Sequence, residues 1–154
     1  MKSLSVVVLL AAACEVSTSH AATTLERTFR FPDERFQLSQ TDKGVAVRMA
    51  GDAMREFRPG QPDLPMVSES VEIPNGMRVA SVDVVGIDSQ LWRTGVRVAP
   101  AVVVKPGITP EERTAPDPVA YARAGFQPER AVELVTQGYE RGVHKAMLRV
   151  NPVR

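Results

Sequence analysis

Residues that could carry out hydrolysis are few in this chain of 154 residues. Such chemistry needs a nucleophile, a base within hydrogen-bond reach and a group that stabilises the oxyanion. The single cysteine, Cys14, lies in an N-terminal segment that we predict to be removed or lipidated. Serines remain, but none of them lies in a Gly-x-Ser-x-Gly pattern. We therefore predict that the chain supplies no catalytic residue.

Histidine and metal chemistry have equally few candidates. Beyond the N-terminal segment the one histidine is His144, which shares strand parity with Ala146, Leu148 and Val150 and is interpreted as a partly buried structural side chain. Glu111, Glu112 and Asp117 could contact calcium, but the ligand spacing of a calcium loop is missing, so we interpret them as solvated. The sequence predicts neither a cofactor nor a metal site.

The N-terminus has the pattern of a secretory signal. Lys2 precedes an apolar run from Leu4 to Ala13, and small residues at the spacing that signal peptidase reads end at Ala21. The run is too short to span a bilayer as a mature helix. We predict that residues 1–21 are a signal peptide and that residues 22–154 form one exported domain.

A lipoprotein site is the alternative interpretation of the same segment. The residues from Ala11 to Cys14 are a degraded form of the bacterial lipoprotein processing site, with Ala11 where a large aliphatic residue is usual. Cleavage after Ala21 is therefore favoured over an anchor at Cys14. In both cases the protein is expected to be secreted or at the cell surface, without disulfides in the mature domain.

Composition favours an all-β domain. The formal net charge of +1 gives no electrostatic case for nucleic acid or an anionic membrane surface. The 12 prolines and 10 glycines are spread along the chain, and period-two alternation lies between them. This spacing predicts an antiparallel β-sandwich with at most one short helix.

Predicted strands and the loop between them follow from the alternation. The predicted strands are Glu26–Phe31, Gly44–Met49, Met66–Ile73, a return strand over about Arg78–Val84, Trp92–Val98, Ala131–Gln137 and Val143–Val150. The prolines between Lys105 and Pro118 predict an exposed, extended loop. A short helix is predicted from Pro118 to Ala124, with Asp117 as its cap.

Two ordered sets of motifs resemble a known family. The first set is Gly60-x-Pro62-x-Leu64-Pro65, a strand, and Ile73-Pro74-Asn75-Gly76. The second set is Tyr121-x4-Phe126-x-Pro128, Gly138-x2-Arg141-Gly142 and Leu148-Arg149-Val150-x-Pro152-Val153. Their order, over about residues 60–153, resembles the N-terminal propeptide domain of gingipain-type cysteine endopeptidases.

The resemblance implies a zymogen device. Enzymes of this family cleave after arginine or lysine with a cysteine and histidine pair, and their propeptide resembles a jelly-roll sandwich that presents a basic side chain to the specificity pocket. The implied partner is the peptidase domain of the same precursor, of which this chain is the N-terminal part. Lys105, Arg113 and Arg123 are the candidate inhibitory residues, chosen for their charge in or beside the proline-rich loop.

A stand-alone exported β-sandwich for adhesion or glycan binding is the alternative function. It predicts an exposed aromatic strip around Trp92, because tryptophan is a common platform for sugar rings. Trp92 shares strand parity with Val96 and Val98, which favours a core position instead.

Overall fold

A computed structural model describes residues 3–14, 23–51, 53–55, 58–89, 91, 94–102, 115–125 and 127–154. Within them the strands are β1 Ser3–Cys14, β2 Thr23–Pro32, β3 Phe36–Thr41, β4 Gly44–Met49, β5 Met54–Arg55, β6 Pro65–Glu72, β7 Met77–Asp88, β8 Val132–Glu140 and β9 Val143–Val150. A 3-10 turn, Asp33–Arg35, and one short helix, α1 at Pro118–Ala122, complete the elements of the described residues.

The strands form three antiparallel sheets in the described part of the chain. Their orders are β2-β1-β7, β3-β4 and β5-β6-β9-β8. The predicted all-β antiparallel class is therefore confirmed, and so is the short helix. The face-to-face arrangement of a sandwich stays a prediction.

The β6-β9-β8 ladder positions the clearest predicted strand. His144, Ala146, Leu148 and Val150 alternate along β9 and are all buried, so the period-two pattern was correctly assigned to one side of the strand. The turn that joins β8 to β9 is shorter than predicted. It consists of Arg141 and Gly142, both with positive φ, while Gly138–Glu140 belong to β8.

One hydrophobic cluster joins the three-stranded and four-stranded sheets. Its members are Val8, Leu10, Phe31, Val67, Val71, Ile73, Val79, Ala131, Val132, Ala146, Leu148 and Val150. Gln137 adds a polar connection, because its Oε1 accepts a 2.7 Å hydrogen bond from the Val79 amide and its Nε2 donates one of 3.4 Å to the Val79 carbonyl. The two sheets therefore share both a core and a side-chain bridge.

The apolar run near the N-terminus forms strand β1, between β2 and β7. Val8 and Leu10 on this strand are fully buried. The sequence pattern indicates a signal peptide for this run, and removal of residues 1–21 stays a prediction. The pairing shows that this segment can also be accommodated as a strand.

Two strand predictions need correction. Within the predicted strand Trp92–Val98, residues 94–97 form no strand, and Val98 makes only an isolated parallel bridge to Val45. The chain turns at Gly95, which has a φ of 66°, and Val96 is exposed. The predicted core position of Trp92 lies outside the described residues. In the return strand the alternation of the sequence predicts that Ala80, Val82 and Val84 share one side. The ladder of β7 with β1 instead skips Ala80 and Val85, and Val79, at 6% exposure, is the most buried residue of the strand.

Strand β3 was not predicted from the sequence. Its six residues contain only Phe36 and Leu38 as large apolar side chains, and most of the strand is exposed. Among the described helices, none combines the length and apolar character that crossing a membrane requires.

Candidate functional site

Gly60 makes the turn on which the first motif depends. Its φ is 78°, a conformation that residues with a Cβ rarely adopt. A Cβ built there would lie 2.7 Å from the Ala115 carbonyl oxygen and 2.9 Å from the Asp117 nitrogen. The glycine therefore serves both the backbone conformation and the close approach of a segment 55 or more positions away in the sequence.

The segment Arg97–Ala101 lies beside the turn. Ala101 donates a 2.7 Å backbone hydrogen bond to Gln61, and its own carbonyl accepts one of 3.1 Å from Gly60. Asp63 donates another, of 2.9 Å, to the Ala99 carbonyl. The opposite edge of this segment bonds to β4, where the Val45 amide donates to Arg97 and the Val45 carbonyl accepts from Ala99, both at 2.8 Å.

Asp117, which follows residues 103–114 in the sequence, bonds this part of the chain to the glycine turn. Its amide donates a 2.9 Å hydrogen bond to the Gly60 carbonyl. Its Oδ2 accepts a 2.7 Å hydrogen bond from Gln61, and its Oδ1 accepts from the amides of Val119 and Ala120. The predicted role as helix cap is confirmed, and one carboxylate both caps α1 and contacts the glycine turn.

Tyr121 connects α1 to the segment Arg97–Ala101. Its hydroxyl donates a 2.7 Å hydrogen bond to the Val98 carbonyl, and the Arg97 guanidinium lies 4.8 Å from the ring centroid. Burial raises the pKa of Tyr121, and the positive charge of Arg97 opposes that rise. The hydroxyl therefore stays protonated and keeps its role as a donor.

A buried carboxylate lies three residues after Gly60. Asp63 is 5% exposed and pairs with Arg55, whose Nε donates to Oδ1 at 3.0 Å and whose second guanidinium nitrogen contacts Oδ2. Arg48 approaches Oδ2 at 3.6 Å. Burial, and then the charge of Arg48, lower the pKa of Arg55, which still remains protonated.

We call these three segments, Gly60–Asp63, Arg97–Ala101 and Ala115–Tyr121, the loop base. They fix the two chain ends between which residues 103–114 lie in the sequence. Lys105 and Arg113, with Glu111 and Glu112, lie outside the described residues. Arg123 is described and exposed, just after α1. Arg123 follows the last residue of the loop base, Tyr121, by two positions in the sequence.

His144 has a structural position. It is 7% exposed and stacks on Tyr139, with 4.5 Å between ring centroids. Its Nδ1 atom is buried without a hydrogen-bond partner among the described residues. These surroundings agree with the predicted structural histidine rather than with a base that relays a proton.

The described part of the chain contains no cluster of metal-ligating side chains. No group of three or more His, Cys, Asp or Glu side chains there could hold a metal ion. Asp117, which could have contacted calcium, uses its carboxylate oxygens on Gln61 and on the first turn of α1.

An open cleft lies between β7 and the start of β8, with a volume of about 610 Å3. Its lining includes the apolar side chains of Val82, Val84 and Leu134 and the charged side chains of Glu133 and Arg154. Its lining contains neither histidine nor cysteine.

Sequence reasoning did not find the loop base as a unit. The sequence analysis names Gly60 and Tyr121 only as positions of two separate motifs. It assigns no role to Gln61. Their contacts are 20 to 60 positions apart in the sequence, and no local periodicity reports such distances. Two local features of the sequence do point to the loop base. Gly60 lies in a proline-rich turn, and Asp117-Pro118 is a typical helix start.

One solved structure is similar to this chain. No protein-family model matches the chain, and no curated protein matches it. It is similar to a solved structure described as a structural insight into the zymogenic latency of gingipain K from Porphyromonas gingivalis. Identity is 21%, the similarity covers 93% of this chain and 86% of the other, and the TM-score is 0.48.

The solved structure belongs to the class of protein that the ordered motifs resemble, the gingipain zymogens. At this identity and TM-score the similarity assigns neither a cleavage specificity nor an inhibitory role to the chain.

Proposed function

We propose that this chain is the N-terminal propeptide portion of an exported gingipain-like cysteine endopeptidase. Residues 1–21 are its signal peptide, and residues 22–154 form a β domain that inhibits the peptidase domain of the same precursor and assists its folding. The peptidase cleaves after arginine or lysine. The chain contributes no catalytic residue and no cofactor.

The loop base is the observation that carries this proposal. Both sequence flanks of residues 103–114 are hydrogen-bonded to the same turn, through Ala101 on one side and Asp117 on the other. An inhibitor that enters a specificity pocket gains affinity when the entering segment is held at both ends, because less conformational entropy is lost on binding. The loop base supplies two such fixed ends.

Charge gives the entering side chain its chemistry. Truncating a cation that is paired with a buried acidic group across an interface costs a complex about 2–5 kcal/mol. Lys105 and Arg113 lie between the two fixed ends in the sequence, whereas Arg123 follows α1. We therefore rank Lys105 and Arg113 above Arg123 as the inhibitory residue.

Enzyme inhibition tests the proposal directly. The chain is titrated against an active gingipain-type endopeptidase while hydrolysis of arginine and lysine peptides is measured separately. We expect inhibition at micromolar chain or below. Substituting alanine at Lys105 or at Arg113 should weaken inhibition about 30-fold to 4,000-fold for the residue that enters the pocket.

Matched variants separate a pocket contact from a general charge effect. Arg141→Ala removes an exposed cation of the turn between β8 and β9 and should leave inhibition unchanged. Arg123→Ala should have an effect closer to that of Arg141→Ala. Absence of inhibition at micromolar chain, or equal losses from all four variants, would contradict the proposal.

A further inference from the structure

Strand β1 is paired along both of its edges. Its backbone is antiparallel to β2 from Ser3 to Ala12 and antiparallel to β7 from Ser5 to Cys14. It is therefore the central strand of its sheet, and its N–H and C=O groups alternate between two partners.

The inward side of β1 belongs to the core. Val8 and Leu10 have no exposed surface and belong to the cluster that includes Phe31 and Val79. Removal of residues 1–21 would take both side chains away. It would also leave facing rows of unpaired backbone groups on β2 and β7, which are costly when buried and which attract another strand when exposed.

Direct closure of β2 onto β7 is disfavoured by strand direction. Both strands are antiparallel to β1, so they run parallel to each other. With β1 removed, β2 and β7 are two strand spacings apart, about 9.5 Å. To pair directly, one strand would have to move by about 5 Å toward the other. The two antiparallel pairings would then be replaced by one parallel pairing. An incoming antiparallel strand would restore the original pairing without any such shift.

We propose that, after export, the space between Thr23–Pro32 and Met77–Asp88 is a strand-acceptor site for an extended apolar segment of the peptidase domain. This inference rests on the proposed function, including removal of residues 1–21. The accepted segment runs antiparallel to both strands and places two aliphatic side chains where Val8 and Leu10 lie. Such strand addition gives affinity through main-chain hydrogen bonds and specificity through alternate side chains.

A second copy of the chain is a poorer occupant than the peptidase domain. The segment seen to fit the site, β1, is removed from every exported copy, so no copy can donate it to another. The peptidase domain of the same precursor is covalently linked to the site, and its segments therefore have a high effective concentration there.

Hydrogen exchange on the exported chain tests the strand-acceptor site. The chain is recovered after secretion, its N-terminus is read by intact mass, and amide exchange is compared with and without the active endopeptidase. We expect exchange in β2 and β7 to slow by about tenfold or more in the complex, because these amides gain partners, while the β8 and β9 amides change little.

A peptide competitor provides the matched control. A synthetic peptide of residues 3–13 should slow exchange in β2 and β7 and weaken inhibition of the endopeptidase. The same peptide with Val8→Asp and Leu10→Asp cannot bury its two inward side chains and should do neither.

Each contrary outcome has a distinct meaning. Inhibition with unchanged exchange in β2 and β7 overturns the strand-acceptor site and leaves the proposed function intact. Retention of residues 3–14 after secretion, protection of β2 and β7 in the free exported chain, or a dimer that protects them also overturns it. Absence of any inhibition overturns both proposals.

Discussion

The side-chain amide of Gln61 donates a 2.7 Å hydrogen bond to Oδ2 of Asp117, 56 positions later in the chain. The other oxygen of that carboxylate accepts the Val119 amide at 2.9 Å, at the start of α1. One carboxylate therefore joins the glycine turn to the helix that follows residues 103–114. The geometry makes Asp117 the residue whose loss should loosen the loop base most directly.

Replacing Asp117 by alanine should lower the free energy of unfolding by about 1–2 kcal/mol. The variant loses an N-cap, and it leaves the Gln61 amide without its acceptor. Denaturant unfolding measures the change. The control is Asp83→Ala, because Asp83 is exposed and its carboxylate accepts a hydrogen bond from the nearby Ser81 hydroxyl. Equal losses in the two variants would show that the carboxylate does not join the turn to the helix.

Gly60→Ala should destabilise the domain by about 2 kcal/mol or more. The left-handed backbone alone costs about 1–2 kcal/mol for a residue with a Cβ. The added carbon would also lie 2.7 Å from the Ala115 carbonyl oxygen. Gly138→Ala is the matched control, since a Cβ at Gly138 would meet no atom within 4 Å and the residue has no positive φ. A Gly60 variant as stable as the control would argue against the close approach.

Asp63→Ala should cost about 2 kcal/mol of stability. Loss of one partner from a buried ion pair costs about 3–5 kcal/mol, and the half-exposed side chain of Arg55 reduces that penalty because water can reach the remaining guanidinium. Thermal unfolding of the Asp63 variant measures it. The double variant Asp63→Ala with Arg55→Met should recover part of the loss, and a further decrease would contradict this account.

Glu140 should give a small contribution to stability that depends on pH. The hydrogen bond from Lys145, at 2.8 Å, holds the pKa of Glu140 below its usual value. A depressed carboxyl pKa stabilises the fold above the unfolded pKa, and the contribution is lost as pH falls through the lower folded value. The melting temperature of Glu140→Gln should therefore lie slightly below that of the unmodified chain near pH 7 and converge with it as the pH falls below the folded pKa of Glu140.

Salt provides the check on the Glu140 prediction. The pair is on the surface, so about 1 M salt should remove most of the difference at pH 7. A difference that persists in salt, or that grows as the pH falls, would show that Glu140 acts through packing rather than charge.

Strand periodicity predicted the parts of the fold where one side of a strand is buried. Gly44–Met49 was predicted with its observed bounds, and Val143–Val150 was predicted together with its buried side. Both strands have apolar residues at alternate positions and a turn signal before their first residue, so local pattern and tertiary environment agree. In Gly44–Met49 Ala46 is buried as well, on the side opposite to Val45 and Val47. The cap at Asp117 was predictable for the same reason.

Other features depend on contacts that the local pattern does not report. The run that contains Val8 and Leu10 is apolar on both sides, which fits a signal peptide as well as a central strand. The irregular pairing at Ala80 comes from the register with β1. The loop base depends on Gln61 meeting Asp117, and only the folded chain brings these two residues together.

The Gln137 side chain bonds to the backbone of β7 as a neighbouring strand would. Its amide group pairs with both polar groups of the Val79 backbone, at the point where the ladder between β7 and β1 is irregular. Opening of either sheet at this point must break the same two bonds and disturb the shared core. The C-terminal hairpin and the three-stranded sheet are therefore expected to melt in one cooperative transition rather than as independent units.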